Sequence, residues 1–176
     1  MRTIKGKQFV SLIPKDVLEL KIKQIAQEIE QNYEGKNPIF VGILNGSFMF
    51  LSELFKHIKM ECEVSFVKVK SYQEMKSTGQ IKELIGLSEN IEGRHVVIVE
   101  DIIDTGNTIK AILPEFEKQK PVSLSILTLL HKKEATKVAL KIDYIGFEIK
   151  DKFVIGFGLD YDGYGRNIDE IMVLAE

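Results

Sequence analysis

The sequence predicts an α/β fold in which a mostly parallel central sheet is flanked by helices on both faces. Two short, nearly continuous apolar runs, residues 38–44 and 95–99, are typical of strands that are covered on both faces. Helix-like and strand-like segments alternate as far as residue 130, as in chains that form parallel sheets. The alternation then stops, so the end of the chain is expected to form a small lobe over the sheet edge, together with the N-terminal segment.

The first predicted helix spans residues 15–33. Its apolar residues recur at steps of three and four from Leu18 to Ile29, with charged residues between them, and the helix is expected to end near Gly35. The elements expected next are a strand at 38–44, a helix at 48–58 and a strand at 63–69.

The middle of the chain continues the alternation. Residues 71–80 are polar and lack a clear period, which predicts a loop. A helix predicted at 108–118 contains Pro114, which should kink it or restart it. The other expected elements are strands at 81–87, 95–99 and 124–130, followed by strand-like pieces at 144–149, 153–157 and 171–175 between turns rich in Gly and Asp.

Composition and charge exclude several classes of function. The 176 residues suggest one domain, and a net charge of -2 provides no global positive field to attract nucleic acid. No apolar run reaches the about 18–20 residues needed to cross a bilayer, and the N-terminus lacks the apolar stretch of a signal peptide. The single cysteine, Cys62, fits a reducing compartment. We therefore expect a cytoplasmic protein that binds neither nucleic acid nor membranes.

The most informative stretch follows the central apolar strand, at the end where open parallel sheets bind their ligands. Glu100 and Asp101 are adjacent carboxylates that could bind ribose hydroxyls or hold Mg²⁺. Gly106 would let the backbone approach a ligand, and amides at a helix start form an anion cradle. The segment also carries two hydroxyl donors and a possible proton acceptor: Thr105, Thr108 and Asp104.

A simpler interpretation of the same stretch is helix capping. Asp104 or Thr105 at the start of a helix is a common cap and needs no ligand. Capping does not explain the pair Glu100 and Asp101 beside a buried strand, because like charges repel each other there and lose their solvation. The whole string therefore favours a sugar-phosphate site.

The string from Val96 to Thr108 resembles the phosphoribosyl pyrophosphate (PRPP) signature of the type I phosphoribosyltransferases. From about Phe40 to Ala175, further segments resemble, in the same order, the bacterial hypoxanthine-guanine phosphoribosyltransferases of that family. The resemblance implies a type I phosphoribosyltransferase fold, as one domain of residues 1–176 with a core of about 36–140 and a hood lobe from about 1–14 and 150–176.

The resemblance implies roles for individual residues. The PRPP loop would bind the ribose and its 5-phosphate, acidic side chains would hold Mg²⁺, and Asp104 would be the catalytic base. The residues implied for ribose-phosphate binding are Glu100, Asp101, Asp104, Thr105, Gly106, Asn107 and Thr108, and those implied for the metal are Glu100, Asp101 and Asp160.

Two segments resemble the pyrophosphate site of the family. Asn45 and Gly46 follow Leu44 in a loop whose backbone amides could hold an anion, and Arg166 would contact pyrophosphate with its fork of donors. Many relatives carry Lys or Arg where this chain has Asn45, so a contact at that position is expected through the backbone. Family members often have a cis peptide bond in this loop.

Three residues resemble the purine site. Lys132 would meet the 6-oxygen of the base, which favours 6-oxopurines because an ammonium group repels the amino group of adenine. Phe153 would stack on the base, and the backbone of Val154 would meet its edge. Without the resemblance, Lys132 and Lys133 would be interpreted as a surface pair and Phe153 as a core aromatic residue.

The implied activity is transfer of ribose 5-phosphate from PRPP to hypoxanthine and guanine, which gives IMP or GMP and pyrophosphate with Mg²⁺ as cofactor. Ser71 and Tyr72 would belong to a mobile loop that closes over the site and excludes water. The family forms homodimers or homotetramers, so an oligomer is expected.

Two alternatives remain open: a phosphoribosyltransferase for another base, such as xanthine or a pyrimidine, and a non-catalytic regulator on the same fold that binds PRPP or nucleic acid.

Overall fold

Two β-sheets and three helices make up the described part of the chain, which is residues 1–69, 83–87 and 89–175 of a computed structural model. The larger sheet contains β3 (Ile39–Leu44), β4 (Glu63–Val69), β5 (Glu83–Ile85), β6 (His95–Ile103), β7 (Ser123–His131) and β8 (Tyr144–Glu148). The smaller sheet contains β1 (Arg2–Ile4), β2 (Lys7–Ile13), β9 (Val154–Ile155) and β10 (Ile171–Leu174). The helices are α1 (Lys15–Tyr33), α2 (Phe48–Phe55) and α3 (Asn107–Glu117).

The larger sheet has the strand order β5-β4-β3-β6-β7-β8, and its strands are parallel from β4 to β8. Only β5, at one edge of the described sheet, is antiparallel to its neighbour β4. Apolar residues of β3 and β6 alternate between two cores, because successive side chains of a strand point to opposite faces. Phe40 and Val97 pack with α1 and α2, whereas Val41 and Ile98 pack with α3. The predicted parallel sheet with helices on both faces is therefore confirmed.

Helix α1 has the bounds that its periodicity predicts. Its buried residues follow one stripe, and Gly35 just beyond its end has a φ of 71°, which favours glycine. The buried stripe consists of Leu18, Ile22, Ile25, Ala26, Ile29 and Tyr33.

Several elements differ from their predicted form. Strand β6 continues past the apolar run to Ile103, because its pairing with β7 extends from Glu100 opposite Thr128 to Ile103 opposite His131. Helix α3 does not restart at Pro114, because it is one helix through this residue. Buried side chains on both sides of the proline, Ile112 and Phe116, hold the helix against the sheet. Helix α2 ends at Phe55, three residues earlier than the pattern predicted.

The smaller sheet joins the two ends of the chain, as expected from the sequence. It has the order β1-β2-β10-β9 and is antiparallel throughout. Strand β9 is only two residues long, because Gly156 and Phe157 have positive φ angles and turn the chain.

The predicted loop that includes Ser71 and Tyr72 lies outside the described residues. No helix in the described ranges is long and apolar enough to cross a membrane.

Candidate active site

Three segments that are distant in sequence meet beside the acidic pair. A Cβ atom placed on Gly46, after β3, would overlap the carboxylate of Asp101 in β6. A Cβ atom placed on Gly158, after β9, would overlap the carbonyl oxygen of Gly46. The Nη1 atom of Arg166 donates to the carbonyl oxygen of Gly158 over 2.6 Å. The predicted metal and pyrophosphate residues are therefore neighbours in the fold.

The turn between β3 and α2 has an unusual backbone geometry. The peptide bond between Leu44 and Asn45 is cis, a feature that the sequence alone could not show. Asn45 is exposed, whereas Gly46 and Ser47 are buried. The Ser47 hydroxyl donates to the carbonyl oxygen of Ile43 over 2.7 Å, which ties the start of α2 to the end of β3. The glycine leaves room for Asp101 beside the turn.

Glu100 and Asp101 are buried carboxylates in the paired part of β6, with 9% and 7% exposure. The Oε2 atom of Glu100 is one of the buried side-chain oxygens that lack a hydrogen-bond partner among the described residues. Burial and the neighbouring charge of Asp101 raise the pKa of Glu100 well above its ordinary value. Burial also raises the pKa of Asp101, although the Ile102 amide, which donates to its Oδ1 over 2.8 Å, acts in the opposite direction.

The acidic pair fits a divalent cation that is shared with a substrate. Mg²⁺ prefers oxygen ligands and usually takes one or two carboxylates together with water and phosphate oxygens. Within the described ranges no group of three or more His, Cys, Asp or Glu side chains is placed to hold a metal by itself. Glu100 and Asp101 would supply the protein ligands, and the unpartnered Glu100 oxygen is consistent with that use.

Asp160, the third predicted metal residue, is hydrogen-bonded to other residues of the chain through both carboxylate oxygens. Its Oδ1 accepts from Nη2 of Arg166 over 2.6 Å, and its Oδ2 accepts from the Gly163 amide over 2.7 Å. Both side chains of the Arg166–Asp160 pair are 28% exposed. The arginine therefore links the turn of Gly158 to this carboxylate, and the pair stands at the edge of the site.

The turn between β6 and α3 lines a pocket with an open volume of about 290 Å³. Gly106 occupies the N-cap position of α3 with a φ of 81°, and within the described chain no side chain caps this helix. The interpretation of Asp104 or Thr105 as the N-cap is therefore wrong. Thr105 Oγ1 accepts only a long bond of 3.4 Å from the Asn107 amide. The residues that line the pocket are Glu100, Ile102, Ile103, Asp104, Thr105, Gly106, Thr108 and Ile109.

Lys132 is a buried cation that joins two carboxylates. Its Nζ atom lies 3.0 Å from Asp104 Oδ2 and 3.0 Å from Asp151 Oδ1. Burial lowers the pKa of Lys132, but its hydrogen bonds to the two carboxylates outweigh burial and raise the pKa above its usual value. The surface-pair interpretation is wrong for Lys132, which is 7% exposed, and it fits Lys133, whose side chain is 73% exposed.

The predicted base-stacking residue, Phe153, lies on the surface rather than in the core. It is 46% exposed, and its ring meets the ring of Tyr161 edge-on with centroids 5.7 Å apart. Val154, the first residue of β9, is buried. An exposed aromatic face held by Tyr161 can stack on a planar ligand, whereas a core aromatic residue could not.

Two residues near Lys132 have no role in the sequence-based predictions. Asp151 is 19 positions away from Lys132, and Thr136 contacts Asp104 across 32 positions. No local pattern in the sequence marks either contact, because both depend on how β7, β8 and the segments after them are placed. Only the fold brings these residues to the site.

Comparisons with known proteins agree with this geometry. Residues 15–162 match the phosphoribosyl transferase domain family. A hypoxanthine-guanine phosphoribosyltransferase of Aquifex aeolicus is 40% identical over all of both chains, and one of Lactococcus lactis is 43% identical over 93% of this chain and 89% of that protein.

Solved structures show the same relationship. A hypoxanthine-guanine phosphoribosyltransferase of Bacillus anthracis, with HEPES in its active site, superimposes with a TM-score of 0.89 and 37% identity over 94% of this chain and 98% of that one. A hypoxanthine phosphoribosyltransferase of Trypanosoma cruzi, in complex with its product IMP, has a TM-score of 0.89 and 33% identity over 99% of this chain and 98% of that one.

Proposed function

Because the chain belongs to the hypoxanthine-guanine phosphoribosyltransferases of the phosphoribosyl transferase domain family, we propose that it transfers the ribose 5-phosphate of PRPP to a 6-oxopurine at the site described above. The acceptors are hypoxanthine and guanine, and the products are IMP or GMP and pyrophosphate. The enzyme is a glycosyltransferase of purine salvage, and it works in the cytoplasm as a homodimer or homotetramer.

One observation carries the assignment of the PRPP site: the contact of Asp101, Gly46 and Gly158 beside the open turn before α3. Backbone amides of the turn and the N-terminus of α3 would hold the 5-phosphate, with Thr105 and Thr108 as further donors. The backbone at Asn45 and Gly46 and the guanidinium group of Arg166 would hold pyrophosphate on the other side. The two anionic ends of PRPP are thereby separated, with the ribose between them.

Glu100 and Asp101 would position the ribose and hold Mg²⁺, and Asp160 would act on a second ion through pyrophosphate and water. When bound, Mg²⁺ neutralises the charge that develops on pyrophosphate as it leaves. The buried, partly unpartnered acidic pair supports this assignment, because carboxylates in such a place are costly unless a cation accompanies them.

The chemical step replaces one bond to the anomeric carbon by another. The bond from that carbon to the pyrophosphate oxygen breaks, pyrophosphate leaves with the electron pair, and a purine imidazole nitrogen supplies the pair for the new bond. Asp104 takes the proton that the imidazole ring of the purine loses as the new bond forms. Its carboxylate is 48% exposed at the mouth of the pocket, and Lys132 holds it in place by an ion pair.

The purine would lie between Lys132 and Phe153. The ammonium group of Lys132 donates to the 6-oxygen, the ring of Phe153 stacks on the base, and the backbone of Val154 meets its edge. Ser71 and Tyr72 belong to the loop that would close over the reacting groups and exclude water. Most of the acceleration would come from orientation and from stabilisation of the leaving group.

Turnover with each purine tests the proposal. We expect pyrophosphate release with hypoxanthine and with guanine when PRPP and Mg²⁺ are present, and little release when Mg²⁺ is removed with a chelator. Xanthine and a pyrimidine base serve as controls for base preference. If none of the 6-oxopurines is converted, the assignment fails, and binding of PRPP without turnover would favour the alternative of a non-catalytic regulator.

A further inference from the structure

The segment after β7 packs along the turn between β6 and α3, on which the proposed PRPP site depends. The Lys132 amide donates to the carbonyl oxygen of Ile103 over 2.9 Å, and the Lys137 amide donates to that of Thr105 over 3.1 Å. Between them, Thr136 Oγ1 lies 2.9 Å from the carbonyl oxygen of Asp104. Three consecutive carbonyl groups, from the last residue of β6 into the turn, are thus held by one segment, residues 132–138, which we call the backing segment.

These contacts decide what the turn presents to a ligand. A carbonyl oxygen repels a phosphate, whereas an amide attracts it, so a phosphate-binding turn must direct its carbonyl groups away from the anion. The backing segment donates a hydrogen bond to the carbonyl oxygen at each of the three positions and so holds it in that direction. It also packs closely against Gly106, where a Cβ atom would lie 2.6 Å from a methyl group of Val138.

Among the described contacts, Thr136 is the one side chain that donates to a backbone carbonyl group of this turn. Its hydroxyl also lies 3.0 Å from the carbonyl oxygen of Lys132 and 3.1 Å from Nε2 of His131. The Lys132 carbonyl already accepts the amides of Ala135 and Thr136, so the single hydroxyl proton is best used on Asp104. The hydroxyl oxygen can then accept a hydrogen bond from Nε2 of His131.

Thr136 therefore connects the two halves of the site through their backbones. Asp104 and Lys132, the proposed base and the proposed purine-binding cation, already share an ion pair of 3.0 Å through their side chains. Thr136 joins the same two residues a second time, because its hydroxyl donates to the Asp104 carbonyl oxygen and its backbone amide donates to the Lys132 carbonyl oxygen. This double connection fixes the distance between the phosphate turn and the purine lysine.

We propose that Thr136 is a positioning residue of the transferase: its hydroxyl holds the Asp104 carbonyl away from the ligand and so keeps the 104–108 amides set for the 5-phosphate of PRPP. The inference rests on the proposed function and deepens it, because it assigns a role in substrate binding to a residue that does not touch substrate.

The test compares Thr136→Val, which keeps the shape and removes the hydroxyl, with Thr136→Ser, which keeps the hydroxyl. Thr136→Val should raise the KM for PRPP roughly three- to tenfold, the effect of one lost hydrogen bond, and should raise the KM for hypoxanthine less. Thr136→Ser should stay within about twofold of the unchanged protein for both substrates. Glu134→Ala, an exposed change in the same segment, is the control and should alter neither constant.

The outcomes separate this inference from the proposed function. If the unchanged protein converts no purine, the proposed function fails. If it is active and Thr136→Val leaves the KM for PRPP unchanged, or raises both constants equally, the positioning role is wrong. Failure of Thr136→Ser to restore the KM would also overturn it. Should Thr136→Val not fold, Thr136→Ala removes the hydroxyl without placing a methyl group against the Asp104 carbonyl. The changes in the KM for PRPP and in the KM for hypoxanthine are then compared for that variant.

Discussion

Glu100 lies in a paired strand with one buried carboxylate oxygen that has no partner among the described side chains. Burial and Asp101 raise its pKa well above the ordinary value near 4.5, so the folded metal-free protein binds a proton that the unfolded chain releases. A carboxylate with a raised pKa in the folded state contributes most favourably below the ordinary pKa. That contribution is lost as the pH rises from the ordinary pKa through the folded pKa, and above that range the ionised side chain is a cost.

Glu100→Gln should therefore stabilise the metal-free protein at pH 8 while it lowers turnover. We expect a gain of about 1 kcal/mol in the free energy of unfolding, or about 2–4 °C in the melting temperature. The gain should shrink as the pH falls towards the ordinary pKa of glutamate. Thermal unfolding in the presence of a chelator, at several pH values, measures it.

Glu61→Gln, at an exposed carboxylate, is the matched control and should leave the melting temperature unchanged. Equal melting temperatures of the Glu100→Gln variant and the unchanged protein at every pH would contradict the account of this residue. It would mean that the carboxylate is solvated or paired in solution.

At the scale of single residues, the sequence predicts those site residues that are neighbours along the chain. Glu100, Asp101 and the residues up to Thr108 stand together in one string, so their meeting needed no knowledge of the fold. The contact of Gly158 with Gly46 and the approach of Thr136 to Asp104 could not be read in this way, because each joins segments whose distance depends on the whole topology. Asn45 shows the same limit, since its exposure follows from the turn and not from its residue type.

At the scale of elements, β6 shows why a strand end is hard to predict. The apolar run stops at Val99, yet the strand continues to Ile103 because its backbone groups still find partners in β7. Charged residues end a hydrophobic pattern without ending a ladder of hydrogen bonds. The acidic pair is consequently held on a strand rather than on a loop, which makes its position more rigid.

The start of α3 is the second element on which the site depends. Gly106 has a φ of 81°, and a Cβ atom there would lie 2.6 Å from Val138 and 2.8 Å from Leu140. Gly106→Ala should destabilise the protein by about 1–2 kcal/mol or more and should raise the KM for PRPP, because the turn must move away from the backing segment.

Gly93→Ala provides a matched control for backbone strain alone. Gly93 has a φ of 71°, close to that of Gly106, but a Cβ atom there would meet nothing within 4 Å. It should lower the melting temperature less than Gly106→Ala and leave the KM for PRPP unchanged. Equal effects of the two variants on both quantities would show that the packing against Val138 is unimportant.

At the scale of the molecule, the two sheets share one apolar core. Ile13 and Ile171 of the smaller sheet belong to the same buried cluster as Phe40 and Val97 of the larger sheet. The alternation of elements was enough to predict the larger sheet. The sequence could not predict which residues of β2 and β10 face each other. These strands come from opposite ends of the chain, and local patterns do not specify such partners.

We propose, from this shared core, that the hood (residues 1–14 and 150–176) and the rest of the chain unfold together. Tyr164→Trp would place a fluorescent probe on an exposed position of the hood in a chain that has no tryptophan. The helical signal in circular dichroism reports α1, α2 and α3, which cover the larger sheet. In urea the two signals should change in one common transition at a fixed protein concentration.

A transition of the tryptophan signal at clearly lower urea than the loss of helix would contradict that proposal. It would mean that the hood is a separate cooperative unit, attached to a core that folds without it.

A crystal structure with bound IMP tests the central claim most directly, because one ligand carries both the 5-phosphate and the purine. The account predicts phosphate oxygens within about 3 Å of the backbone amides between Thr105 and Thr108, with the base between Lys132 and Phe153. A phosphate bound elsewhere, with the turn before α3 in contact only with solvent, would contradict it.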